Sequence, residues 1–149
     1  MFRVKILLMA AVLVAVTAVA AFPNKSREAR TGQENSEQIE QSVKLVTDEA
    51  ILDRVNSIGQ KLAEVAKTCE VQAGYGTSDL ADFTYTFKVI EDNDINAMSL
   101  PGGYIYVNSG LLDFVKSDDE LAGVLAHEIA HCAHHHVAVL TQKQSKWTQ

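Results

Sequence analysis

Apolar positions recur along this chain with periods that change from stretch to stretch, and each period predicts an element. Residues 6–16 are almost continuously apolar. Residues 23–41 hold almost nothing to bury, which predicts a polar linker or the frayed start of a helix. From Ser42 onward Val43, Val46, Ala50, Val55, Ile58, Leu62 and Val65 step by threes and fours, with Ile51 joining the stripe. That spacing predicts one long amphipathic helix, whose polar face (Lys44, Asp53, Lys61) reads as solvated surface. Gly74, Gly76 and Thr77-Ser78-Asp79 break it and open a loop.

Period two follows. Phe83, Tyr85, Phe87 and Val89 alternate with Thr84, Thr86, Lys88 and Ile90, which predicts a strand near residues 83–90. Glu91-Asp92-Asn93-Asp94 reads as a solvated turn. Pro101-Gly102-Gly103 is a stronger turn signal, and Tyr104-Ile105-Tyr106-Val107 after it predicts a second strand near 104–108 in the same small sheet. Leu111 to Val115 make a short helical turn. With helices at both ends of the strands, the expected class is α+β.

The last element carries the chemistry. Ser117 followed three residues later by Glu120 is a capping box, Asp118 and Asp119 complement the helix dipole, and Leu121, Leu125, Ile129 and Cys132 supply an apolar face. A helix near residues 118–140 is expected. Written on it is His127-Glu128-Ile129-Ala130-His131. Histidines four apart lie one above the other on a helix, so both imidazoles can reach one Zn2+. The glutamate between them points to the side, where it can act as general base on a water without being a ligand. His127 and His131 are therefore the candidate zinc ligands and Glu128 the candidate catalytic base.

Composition narrows the class. At 149 residues, with 47% hydrophobic side chains, the chain can hold one domain with a core. A formal charge of -6 argues against nucleic acid as a partner, and no phosphate-binding loop or dinucleotide fingerprint is present. Arg3 and Lys5 before the apolar run, with Ala18-Val19-Ala20 after it, match a cleaved export signal over residues 1–20. The expected location is periplasmic or extracellular. An uncleaved membrane anchor over Ile6 to Phe22 is the alternative. Residues 21–41 would then be the polar linker and 42–149 the N-terminal part of a zinc metallopeptidase domain. Cys69 and Cys132 could pair in an exported protein, but Cys132 reads better as a small buried residue of the helix face.

A catalytic zinc usually takes three protein ligands. The pattern that adds a third histidine after a glycine-led turn fails here, because His134 and Val137 stand at those two positions. No Asp or Glu follows Glu128. His135 would lie about 12 Å along the helix axis from His127, too far to share an ion, and His134 falls within the same turn as His131.

Asn96-Ala97, Leu100 to Asn108, Gly110-Leu111-Leu112 and Asp119 to His131, with His136 beyond, together resemble metallopeptidase family forty-eight, the HtpX and CAAX prenyl protease type. Met98-Ser99, Ala126 and His135 depart from that family's habit without removing a catalytic group. The resemblance implies a zincin-like fold of the gluzincin kind, zinc held by His127 and His131, a base at Glu128, and a third ligand from a downstream segment. That segment's pattern does not occur here, so the chain resembles a truncated member, with weak zinc binding and little proteolysis expected of it alone. Its substrate would be an exported or unfolded polypeptide. The resemblance also puts the 104–107 strand beside the cleft as an edge for an extended substrate, with Gly103, Tyr104 and Ile105 as substrate-binding residues. The residues alone favour a plain core strand and a plain turn. Two competing functions stand beside the peptidase: an exported metal-binding protein using His127, His131, His134, His135 and His136 as a loading surface, and an inactive remnant.

Overall fold

The alternation from Phe83 to Val89 survives in the folded chain, with Phe83, Tyr85, Phe87 and Val89 all buried. A computed structural model describes residues 25–68 and 83–136. The apolar leader, the Gly74 to Asp79 loop, Cys69 and everything after His136 lie outside the described residues. The elements are α1 (Lys25–Ser42), α2 (Glu49–Ala66), β1 (Thr86–Ile90), β2 (Ala97–Leu100), β3 (Tyr104–Asn108), α3 (Ser109–Phe114) and α4 (Asp118–Ala133). The class is α+β, as the sequence led one to expect.

The sheet runs in the order β1-β3-β2, with β1 parallel and β2 antiparallel to β3. On one face Phe87, Val89, Ile105 and Val107 meet Val55 of α2 and Leu121, Leu125 and Ile129 of α4 in a continuous apolar core. Each such side chain, fully buried, contributes about 1.5–3 kcal/mol. Helix α2 comes so near β1 that a methyl group built on Gly59 would lie 2.5 Å from Phe87 Cζ.

Four expectations are corrected. The stretch from Ser42 to Ala66 is not one helix: α2 starts at Glu49, where Asp48 accepts a hydrogen bond from Ile51 N–H at 3.2 Å. Val43 to Val46 instead lie along β1, with Val46 N–H donating to the Val89 carbonyl at 2.9 Å. A third strand, β2, occupies residues read only as connection. Its four residues are all half-buried, so they show no alternation to read. Consequently β3 is the middle strand, and Tyr104 to Val107 cannot be an edge, because their backbone groups are taken up by β1 and β2.

The fourth correction concerns the polar stretch before Ser42. It is α1, and it covers the sheet face opposite the core by polar contacts. Tyr106, 1% exposed, puts its hydroxyl 2.6 Å from Ser36 Oγ and donates to Glu40 Oε1 at 2.7 Å. Lys88 adds an ion pair to the same carboxylate. Chiefly through Lys88, and with help from Tyr106 and Ser36, the Glu40 carboxyl is held below its ordinary range despite burial. Burial pushes the Tyr106 phenol up to about 12. Glycines allow the approach: a Cβ on Gly32 would overlap the Pro101 carbonyl at 1.7 Å, and one on Gly102 would lie 2.7 Å from Ala29 Cα.

Candidate active site

Helix α4 begins as its capping residues dictate. Ser117 Oγ accepts from Glu120 N–H at 3.2 Å, and Glu120 Oε2 reaches back to Lys116 N–H at 2.8 Å, one residue before the expected partner. Asp118 also holds Arg54 of α2 at 2.8 Å. With this end tied, Leu121, Leu125, Ile129, Cys132 and Ala133 turn into the core. The remaining faces of the helix carry the polar residues.

Among those, His127 is exposed and Glu128 and His131 are half-buried. The two histidines meet: Nε2 of His131 lies 3.1 Å from Nε2 of His127, with the rings edge to face at 4.6 Å. Two nitrogens bound tetrahedrally to zinc at 2.0–2.1 Å would stand about 3.3 Å apart. The pair therefore fits a shared ion with little adjustment. Burial, and then the neighbouring His127, hold His131 below the ordinary imidazole range, which favours the neutral form a metal needs. Glu128 leaves the helix about 100° round from His127.

The helix stops at Ala133, short of the expected 140, with His134 as its C-terminal cap and His135 at a left-handed φ of 54°. The histidine run is thereby split. His135 turns inward, where its Nδ1 lies 2.5 Å from Glu28 Oε2 of α1 in a pair almost wholly removed from solvent, with Phe83 edge-on at 5.7 Å. His134 is buried and stacks on His136 at 5.7 Å. His136 swings back to the site, its Nδ1 2.8 Å from His131 Nδ1. A single five-histidine loading surface is therefore not formed. Neither the Glu28 partner nor the His136 contact has a signal in sequence spacing, since both depend on where the helix ends.

Among the described residues no group of three or more His, Cys, Asp and Glu side chains comes together to hold a metal ion. Gly103, Tyr104 and Ile105 do not face a cleft by way of an open edge. Gly103 is buried, its carbonyl accepts from Thr86 N–H at 2.9 Å, and Ile105 is in the core. The room made by Gly102 is taken by α1. Among the described residues β2 is an outer strand of the sheet: Asn108 N–H bonds the Asn96 carbonyl at 3.0 Å, so by alternation Met98 and Leu100 bond inward to β3, and Ala97 and Ser99 present their backbone groups outward. Cys132 of α4 donates to the Leu100 carbonyl at 3.3 Å and ties helix to strand. Burial pushes its thiol up to about 12, so it stays neutral. Beside His127 an apolar groove of about 500 Å3 runs over Leu111, Phe114, Val115 and Val124.

Comparison with known proteins decides the ancestry. The profile of peptidase family M48 matches residues 53–148. The chain belongs to that family. A Vibrio cholerae protein provisionally named a beta-barrel assembly-enhancing protease is 32% identical over 102 residues, covering 68% of this chain and 19% of its own length. The beta-barrel assembly-enhancing protease of Escherichia coli K12 is 26% identical over 120 residues, 80% of this chain and 22% of the relative. The mitochondrial metalloendopeptidase OMA1 of Schizosaccharomyces pombe is 44% identical over 61 residues, 41% and 18% of the two chains. This M48 chain thus spans about a fifth of the length of these relatives.

Proposed function

We propose that this M48 chain contributes two zinc ligands, His127 and His131, and the general base, Glu128, to a metalloendopeptidase acting on exported polypeptides in extended or unfolded form. The observation that carries the proposal is the 3.1 Å separation of the two Nε2 atoms on a capped, core-packed helix. Bound there, zinc supplies Lewis acidity toward the scissile carbonyl and acidifies a water. Glu128 takes the proton of the attacking water and hands it to the leaving amine. The β2 edge at Ala97 and Ser99 receives the substrate main chain by strand addition, in the role expected of Tyr104 to Val107. A third protein donor, from outside the described residues, completes the metal geometry. The export-type leader supports a location beyond the cytoplasm, either free or anchored through residues 6–22.

The test separates metal binding from turnover. Zinc titration of the chain should show binding lost in both His127→Ala and His131→Ala. With the third donor in place, Glu128→Gln should keep zinc and lower cleavage of unfolded casein by at least about a hundredfold. Zinc binding indifferent to both histidines, or full turnover in Glu128→Gln, overturns the proposal.

A further inference from the structure

We propose that His136 is a positioning residue for the zinc ligand His131, holding its imidazole in the one tautomer and orientation that present Nε2 to the metal; this rests on the zinc reading above. The two rings stand edge to face at 4.9 Å, with Nδ1 of His136 2.8 Å from Nδ1 of His131. A neutral imidazole donates from one nitrogen and accepts at the other. If His131 offers its Nε2 lone pair to a metal, its proton must sit on Nδ1, and the group facing that N–H is His136 Nδ1. His136 accepts there and carries its own proton on Nε2. Without the metal the contacts could run in either direction along the chain His127, His131, His136, because each of the two short N···N distances can be donated from either side. Metal binding at His127 and His131 leaves one direction only.

His136 can do this because of how α4 ends. Residues five apart on a continuous helix do not stack on one face. Here the helix stops at Ala133, and the left-handed turn at His135 returns the chain toward His131. That turn is held from outside the site by Glu28. A polar partner on the far nitrogen of a metal-bound histidine is a general requirement of metal sites, and its removal typically costs 10–100-fold in affinity.

The decisive experiment compares zinc titrations and 15N NMR of the full chain with those of His136→Phe, which keeps a planar aromatic ring without the acceptor, and His136→Gln, which restores a carbonyl acceptor. In the zinc-loaded wild type His131 should show a protonated Nδ1 coupled through the hydrogen bond to His136 Nδ1. His136→Phe should keep the wild-type unfolding midpoint in the zinc-free state while its zinc affinity falls about tenfold or more, and His136→Gln should recover part of that loss. Unchanged affinity in His136→Phe, or a His131 Nδ1 without the cross-bond coupling, overturns the positioning role. His131→Ala is the control that separates the two readings: if it binds zinc like wild type, the ligand assignment itself falls and the positioning role with it. If it loses zinc while His136→Phe does not, only the positioning role is refuted.

Discussion

Glu28 in the first helix and His135 just past α4 form a bond of 2.5 Å between groups 107 residues apart, each with less than a twentieth of its side chain exposed. This pair joins the polar helix α1 to the turn that carries His136. Leaving either group buried without its partner costs about 1–3 kcal/mol. Urea unfolding should therefore place Glu28→Ala about 2 kcal/mol below wild type, beyond the few tenths expected of an exposed α1 control such as Glu34→Ala. Equal stability of the two variants would mean that the pair does not hold α1 in solution.

Tyr106 and Glu40 make stability depend on pH at both ends of the scale. The folded-state pKa of Glu40 is depressed, so its contribution is present above the unfolded carboxylate range and is lost as pH falls through the folded value. The folded-state pKa of Tyr106 is raised to about 12, so its contribution is intact below the unfolded value near 10 and is lost as pH rises from there through about 12. Glu40→Gln should flatten the acid limb and Tyr106→Phe the alkaline limb of a stability profile measured by chemical denaturation. An unaltered limb in either variant would refute the corresponding assignment.

Gly59 sets two effects of opposite sign against each other. Alanine is the better helix former by about 1 kcal/mol. Its methyl would meet the ring of Phe87, which is fixed in the core at 4% exposure, and such overpacking costs about 1–3 kcal/mol. Packing should win, so Gly59→Ala is expected to lower the thermal midpoint. A rise would show that α2 can move off β1 freely.

The cap of α4 supports the site from a distance. Ser117→Ala removes the acceptor for Glu120 N–H and should cost about 1 kcal/mol. Because the histidines sit past the second turn of a helix anchored by its core face, zinc affinity should hardly change. A loss of zinc binding as large as that of His131→Ala, read by the same titration, would show the cap to be part of the site's geometry.

What could be read without the structure was local. The capping box, the apolar stripe of α4, the histidine spacing, the aromatic alternation of Phe83 to Val89 and the β-rich run after Pro101-Gly102-Gly103 are each set by near neighbours in sequence. Helix α1 was not legible in this way: it docks through Glu28, Ser36 and Glu40, and each of those needs a partner far along the chain. Likewise Val43 and Val46 continue a helical stripe on paper, but Asp48 starts α2 after them and β1 takes their backbone.

By itself the sequence determined helix α4 and the candidate residues His127, Glu128 and His131 on it, because helical periodicity and capping act within a few residues, while its linked motifs carried the family resemblance. Only the tertiary structure decided that β3 is central and β2 the edge, that α1 is a layer of the fold, and that of three consecutive histidines one is buried against Glu28 while another faces His131. Those outcomes depend on strand order and on where a helix meets a distant partner, and no local pattern encodes contacts closed across the whole chain.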